Sequence, residues 1–246
     1  MIPFAPQPSM QIGSRHVTAF GALMVAGILV GRTVLMRRAR RFGIPHAEIA
    51  PLYLIMLVAG LAGAVVAQAF MNRAGLTLER GLGLASIGGL GAGIIAGVVF
   101  CTLKRWPFAR SLMAFDIIAF AVPFASCVAR LGCALAHDHR GLPSESWLAV
   151  RFPEGPRWDL GLLEFLFLAA LSLLFLLLDR TPHRPGFFIA IAGVLYGAFR
   201  IWRETLDVTP HFTPWAVVML IGAAVWFYPS VSRIVPNRSS ISWGRV

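Results

Sequence analysis

Charged residues are scarce in this chain, making up 13% of its 246 residues, whereas hydrophobic residues make up 57%. A soluble globular domain carries about 25% charged residues, so the composition excludes an ordinary soluble fold. Several apolar runs reach the roughly 20 residues that a membrane-spanning helix needs. We therefore predict an all-α, polytopic integral membrane protein.

Cysteine is also rare, with three residues in the chain. Cys101, Cys127 and Cys133 lie in or beside apolar segments and show neither a CxxC pair nor a Cys/His ligand spacing. We therefore expect no disulfide framework, no metal site and no cofactor. Residues 1–14 contain proline but no basic stretch, so we expect no cleaved signal peptide.

Basic residues outnumber acidic ones, giving a formal net charge of +11. In a soluble protein such an excess suggests binding to nucleic acid. In a membrane protein it is typical of arginine-rich cytoplasmic loops that face anionic lipid. We therefore expect membrane lipids, and no nucleic acid, as partners of these charges.

The apolar runs divide into seven segments, at residues 17–36, 50–70, 82–103, 113–136, 160–178, 185–202 and 214–228. Arginine and lysine accumulate after the first, third, fifth and last of them, which places the N-terminus outside and the C-terminus in the cytoplasm. No internal repeat or second domain is apparent. We predict about seven transmembrane helices in a single domain over residues 1–246, with a mobile cytoplasmic tail at about 231–246.

Glycine is concentrated in the third segment, and Gly60 and Gly63 mark the second. Small residues of this kind allow helices to pack closely. The alternative is a broken helix over residues 87–93, whose exposed backbone amides line a polar cavity.

Six ionisable residues fall inside the predicted spans or, for Glu204, just past the end of one, and a charge within a span costs about 2.5–3.5 kcal/mol on insertion scales. They are Arg32, Asp116, Arg130, Glu164, Arg200 and Glu204. We interpret Arg32 as a snorkelling residue, and Asp116 as a helix-start residue or an interhelical partner. Arg200 and Glu204 are spaced to pair on one helix face.

A polar loop containing His137, Asp138 and His139 follows the fourth segment. Under the predicted topology this loop adjoins the two arginines and two glutamates of the outer half. These four residues form either ion pairs that fix helix register or a site for an anionic lipid headgroup with acid–base groups beside it.

Several ordered blocks of the sequence resemble the prolipoprotein diacylglyceryl transferase family over nearly the whole chain. The blocks are IPF with QP at 2–8, AFG at 19–21, the glycine-rich stretch 86–93, ARLGC with AHDH at 129–139, AVRFP at 149–153, DLG at 159–161 before Glu164, and YGAFR at 196–200 before Glu204. The resemblance implies an enzyme of the bacterial inner membrane. It would transfer the diacylglyceryl group of phosphatidylglycerol to the lipobox cysteine of a preprolipoprotein and release glycerol phosphate.

The resemblance also implies roles for individual residues. Arg130 and Arg200 would bind the phosphate, and Glu204 would orient Arg200. His137 or His139 would take the proton of the thiol, and Asp138 or Glu164 would orient the imidazole ring or stabilise the cluster. The residues expected to bind the substrate are Arg130, Arg200, Gly132, Tyr196, Asp138, Glu164, Gly88 and Gly89.

Four positions depart from the family pattern. Ile87 and Trp158 stand where the family has histidine, Leu163 where it has tyrosine, and Ala64 where it has arginine or histidine. These departures leave open a catalytically impaired relative that binds anionic lipid or lipoprotein precursors without transfer. An anion transporter is a further alternative, disfavoured because the halves of the chain show no inverted repeat.

Overall fold

The structure is a computed structural model, and it describes residues 1–12, 15–71, 86–208 and 212–227. Within these ranges the chain forms seven helices: α1 (Ala19–Arg41), α2 (His46–Met71), α3 (Ser86–Leu103), α4 (Phe108–Ala136), α5 (Leu160–Leu178), α6 (Phe187–Glu204) and α7 (Phe212–Phe227). The expected tail at 231–246 lies outside the described residues.

Four of the helices, α1, α2, α4 and α5, are long and apolar enough to cross a membrane. Most of α3 and α7 forms shorter apolar helices, at Ile87–Leu103 and Trp215–Trp226. The prediction of a mostly helical membrane protein is therefore confirmed. The count of seven spans and the orientation of the termini stay predictions.

The chain also contains short strands, which the all-α prediction missed. They are β1 (Ile2–Pro3), β2 (Ser9–Ile12), β3 (Arg15–Thr18), β4 (Arg140–Pro143), β5 (Val150–Phe152) and β6 (Gly155–Asp159). Four of them form a sheet in the order β1-β5-β6-β4, with β1 parallel to β5 and the other pairs antiparallel. Three strands of this sheet, β4, β5 and β6, form the connection between α4 and α5, and β1 adds the N-terminal segment to it; β2 pairs separately with β3. The sheet depends on pairing between distant residues, such as Ile2 with Val150, and so leaves no periodic run in the sequence.

The glycines of α3 pack against α2. A Cβ built on Gly88 would lie 2.6 Å from the carbonyl oxygen of Gly63, and one built on Gly89 would lie 3.0 Å from that of Gly60. Such distances leave no room for a side chain, which confirms the close-packing interpretation. Because α3 is continuous from Ser86 to Leu103, the broken-helix alternative at 87–93 is wrong.

Asp116 of α4 caps the start of α6. Its Oδ1 accepts hydrogen bonds of 2.8 Å and 3.1 Å from the backbone N–H groups of Phe188 and Ile189. The residue before α6, Gly186, has a φ of 90° and offers no side-chain cap. Asp116 is buried and satisfies donors that the helix itself cannot, which confirms it as an interhelical partner.

Arg38 is buried at the opposite end of the bundle from the sheet, although the sequence places it in a loop. It forms an ion pair with Asp179, at the end of α5. Its guanidinium carbon lies 3.9 Å from the ring centroid of Phe120 and 4.5 Å from that of Phe188. Arg38 thus joins α1 to three other helices through charge and cation–π contacts.

Candidate active site

The charged residues that the sequence places in the outer half of the spans meet at the end of the bundle that carries the sheet. Arg130 lies near the end of α4, Glu164 one turn into α5, and Arg200 and Glu204 in the last turns of α6. The start of α5 is fixed by Asp159, whose Oδ1 accepts a hydrogen bond of 2.9 Å from a backbone N–H in the first turn. Three helices therefore deliver these side chains to one place.

Glu164 is at the centre of this place, and its side chain is only 1% exposed. Its Oε1 lies 3.2 Å from Nε of Arg130, and its Oε2 lies 3.2 Å from Nη1 of Arg200. The hydroxyl of Tyr196 donates a hydrogen bond of 2.5 Å to Oε1. Side chains from α4 and α6 thus converge on one carboxylate of α5.

A second carboxylate of the site belongs to Glu204. Its Oε1 lies 3.0 Å from Nη2 of Arg200, which confirms the predicted pairing one turn apart on α6. The two ends of the Arg200 fork therefore contact two different carboxylates, Glu164 and Glu204.

Arg203 is a member of the site that sequence analysis missed. The predicted span ends at residue 202, which left Arg203 among the loop charges, whereas α6 continues to Glu204. Its Nη1 lies 3.1 Å from Glu204 and 3.2 Å from Asp207, and its Nε lies 3.9 Å from Oε2 of Glu164. Its spacing of three residues from Arg200, on the same helix face, was the signal that could have found it.

These residues are referred to below as the arginine–carboxylate cluster: Arg130, Glu164, Tyr196, Arg200, Arg203, Glu204 and Asp207. The formal charges of its three arginines and three carboxylates cancel. The cluster therefore holds α4, α5 and α6 together as a network of ion pairs, as one of the two interpretations of the sequence expected.

The cluster nevertheless has spare hydrogen-bonding capacity. The Nε atoms of Arg200 and Arg203 are buried and have no hydrogen-bond partner within the described parts of the chain. A buried donor left unsatisfied costs about 1–3 kcal/mol, more for a charged group. Donors of this kind favour an additional acceptor group at the site.

Trp215 of α7 is a second residue that the sequence did not single out. Its ring centroid lies 4.0 Å from the guanidinium carbon of Arg200, and its ring meets that of Tyr196 edge-on at 5.6 Å. Trp215 is 3% exposed. The aromatic face therefore helps to hold the guanidinium group of Arg200 in place.

The two histidines lie just beyond α4, each held by a carboxylate. His137 ends α4 in the left-handed conformation, with φ of 51°, and its Nδ1 lies 2.5 Å from Oδ2 of Asp159. His139 has its Nδ1 2.5 Å from Oδ1 of Asp138. The structure thus pairs His139 with Asp138, one of the two expected carboxylates, and pairs His137 with Asp159. Which histidine is the base, and which carboxylate orients it, stay predictions.

Cys133 lies beside Arg130, whose Nη1 donates to its sulfur at 3.7 Å. The ligand atoms of Cys133, Asp138 and His139 lie within 4.8 Å of one another. All three groups already have partners in the protein, since Arg130 contacts the sulfur, and Asp138 and His139 contact each other. The absence of a metal site stays a prediction.

The glycines expected to bind the substrate lie at helix contacts. A Cβ on Gly132 would lie 3.1 Å from the Cα of Phe20 on α1, while Gly88 and Gly89 face α2. A role for these glycines in binding substrate stays a prediction.

Of the departures from the family pattern, Ala64 and Leu163 are buried.

Comparison with known proteins supports the resemblance. The chain matches the family model for prolipoprotein diacylglyceryl transferase over residues 7–228. It is 24% identical over 225 residues to the phosphatidylglycerol–prolipoprotein diacylglyceryl transferase of Symbiobacterium thermophilum, covering 84% of this chain and 82% of that protein. The enzymes of the same name from Clostridium tetani and Tolumonas auensis are 22% and 26% identical, covering 79% and 77% of this chain and 82% and 75% of theirs. The chain belongs to the prolipoprotein diacylglyceryl transferase family.

Proposed function

We propose that this chain transfers the diacylglyceryl group of phosphatidylglycerol to the lipobox cysteine of a preprolipoprotein, in the bacterial inner membrane. The observation that carries the proposal is the convergence of Arg130 and Arg200 on a single buried position, now filled by the carboxylate of Glu164. Guanidinium groups bind phosphate and carboxylate in the same bidentate manner. A position that holds a carboxylate between two arginines therefore suits the phosphate of an anionic lipid.

In the reaction, the cysteine thiolate attacks the glyceryl carbon that is bonded to phosphate. The new carbon–sulfur bond forms as the carbon–oxygen bond breaks, and the electron pair leaves with the oxygen of glycerol phosphate. Arg130 and Arg200 stabilise the negative charge of the departing phosphate. Glu204 holds Arg200 in place for that task.

The thiol must lose its proton before it attacks, because the thiolate is the nucleophile. His137 and His139 are the candidate bases. Each has its Nδ1 beside a carboxylate, Asp159 or Asp138, which leaves Nε2 as the proton acceptor. The proposal keeps both histidines as candidates.

The proposed membrane arrangement has all seven helices as spans, with the N-terminus outside and the C-terminus in the cytoplasm. The sheet and the arginine–carboxylate cluster then lie at the outer side, where phosphatidylglycerol of the outer leaflet and the lipobox segment can both reach them. Gly132, Tyr196, Gly88 and Gly89 complete the proposed substrate-binding set.

The departures at Ile87, Trp158 and Leu163 favour one alternative. Apolar residues replace polar ones there, as expected for an impaired relative that binds lipid or precursor without transfer. In that alternative the arginine–carboxylate cluster binds the lipid, but no diacylglyceryl group is transferred.

An assay distinguishes the active transferase from the impaired relative. The purified protein is incubated with phosphatidylglycerol and a lipobox peptide, and the mass of the peptide is measured. We expect a diacylglyceryl adduct that disappears with Arg200→Ala and persists with Arg37→Ala, a matched exposed arginine at the far end of α1. An unmodified peptide with lipid bound to the protein would instead support the impaired relative.

A further inference from the structure

Arg203 has no role in the function proposed above, yet it is as deeply buried as any residue of the arginine–carboxylate cluster except Glu164 and Glu204, at 3% exposure. Its Nη1 is shared between Glu204 at 3.1 Å and Asp207 at 3.2 Å. Its Nε is buried and has no hydrogen-bond partner among the described residues, although it points within 3.9 Å of Oε2 of Glu164.

A bound lipid phosphate changes the ion pairs of Glu164. Arg130 and Arg200 both contact Glu164 in this structure, and turning their guanidinium groups toward a phosphate weakens those contacts. Glu164 is buried, so it would become a charge whose two arginine ion pairs are weakened, with the Tyr196 hydroxyl as the donor that remains. Such a charge is strongly unfavourable unless another cation takes over.

Arg203 is the cation placed to take over. Its Nε lies about 1 Å beyond the usual hydrogen-bond length of about 2.9 Å to Glu164, a gap that a small side-chain movement closes. The same movement satisfies the unpartnered Nε–H. Its Nη1 already contacts Glu204, the other carboxylate that holds Arg200.

We propose that Arg203 is a positioning residue that holds Glu164 and Glu204 when Arg130 and Arg200 turn to the phosphate of the lipid. This inference rests on the proposed function, because it assumes that the two arginines bind the lipid phosphate. In the resting state Glu164 occupies the phosphate position, and in the bound state Arg203 keeps it paired away from the ligand.

The test compares lipid affinity in a double-mutant cycle between Arg203 and Glu164. Phosphatidylglycerol is titrated into the purified protein, and the dissociation constant is read by native mass spectrometry, with phosphatidylcholine as the control lipid. We expect Arg203→Gln to weaken binding of phosphatidylglycerol about tenfold or more, the size of one lost hydrogen bond to a charged group. In a Glu164→Gln background the same change should weaken it less than about twofold, since residue 164 then carries no charge for Arg203 to take over when lipid binds.

Arg203→Lys distinguishes this role from simple packing. Lysine supplies the charge near Glu164 but cannot also contact Glu204, so the dissociation constant should rise by less than the tenfold expected for Arg203→Gln. If Arg203→Gln does not fold, Arg203→Lys is compared in the wild-type and Glu164→Gln backgrounds, and a smaller loss in the second is expected. A tenfold loss with lysine, or equal losses from Arg203→Gln in both backgrounds, would overturn the inference.

The assay also separates this inference from the proposed function. Lipid affinity is measured without the peptide, and product formation by the wild type is measured with it. A wild type that binds lipid and forms no thioether contradicts the transfer reaction. The double-mutant cycle between Arg203 and Glu164 can still be measured in that case. A wild type that forms product, with the Arg203→Gln affinity unchanged, contradicts the role of Arg203 alone.

Discussion

Replacing Arg200 by lysine tests whether the cluster needs a planar fork or only a positive charge. Arg200 uses Nη1 to contact Glu164 and Nη2 to contact Glu204, at 3.2 Å and 3.0 Å. A lysine ammonium is a single point on a flexible stem and cannot bridge two carboxylates in this way. It preserves the net charge of the cluster, so the buried carboxylates remain compensated.

The magnitude follows from the contacts that are lost. Lysine gives up one of the two hydrogen bonds of a bidentate contact with the phosphate, worth about 1.5–3 kcal/mol, and part of the stacking on Trp215, worth about 0.5–2 kcal/mol. A loss of about 2.7 kcal/mol in the transition state corresponds to about a hundredfold fall in kcat/KM. Alanine should be worse, because removing one partner of a buried ion pair costs about 3–5 kcal/mol of stability as well.

The assay follows the mass of the lipobox peptide over time at several concentrations of phosphatidylglycerol. Thermal unfolding in the same detergent tells whether a variant is folded, and Arg37→Lys is the matched control on an exposed helical arginine. A folded Arg200→Lys enzyme with wild-type kcat/KM would refute the requirement for the fork, and with it the bidentate binding of phosphate.

The other predictions concern the packing and the acid–base groups. Asp116→Ala should lower the free energy of unfolding by about 2–4 kcal/mol, because two backbone N–H groups at the start of α6 lose their acceptor. Asp116→Asn keeps an acceptor and should unfold close to the wild type in a thermal melt; equal melting of all three proteins would contradict the capping role. Gly88→Ala should destabilise the protein by about 1–3 kcal/mol, since the added Cβ would lie 2.6 Å from a backbone oxygen of α2. Gly91→Ala, which has open space around it, should be neutral or slightly stabilising, and a loss equal to that of Gly88→Ala would argue against specific packing. His137→Gln and His139→Gln should differ in kcat, with the base losing about 10²–10⁴-fold and the other little. Wild-type kcat in both variants would contradict a histidine base.

The body of the fold was predictable from the sequence because long apolar runs have few structural solutions. The segments at 160–178 and 113–136 coincide with α5 and most of α4. The ends of the helices were harder to predict, since the mean hydropathy falls at the first charged residue. Arg38 and Arg203 were therefore placed in loops, although both lie inside helices and are buried against other helices.

The site was predictable only in part, for a related reason. Hydropathy identifies Glu164 and Arg200 because a charge inside an apolar run stands out, and helical spacing pairs Arg200 with Glu204. Partnerships between elements leave no local pattern. The pairing of His137 with Asp159 depends on the sheet between α4 and α5, and the stacking of Trp215 on Arg200 depends on the packing of α7 against α6.

The arginine–carboxylate cluster has two tasks in the same side chains, and this decides which experiments are informative. Arg130, Glu164 and Arg200 join three helices, and the proposed chemistry needs two of these residues to leave their partner when lipid binds. Alanine substitutions remove both functions at once, so a loss of activity from them proves neither. Charge-preserving or isosteric changes, such as Arg200→Lys and Glu164→Gln, retain most of the packing and isolate the contact with phosphate. Because His139 lies beyond the end of α4 and is partly exposed, its variant tests the chemistry with the helix packing left in place, whereas His137 also pairs with Asp159, the cap of α5.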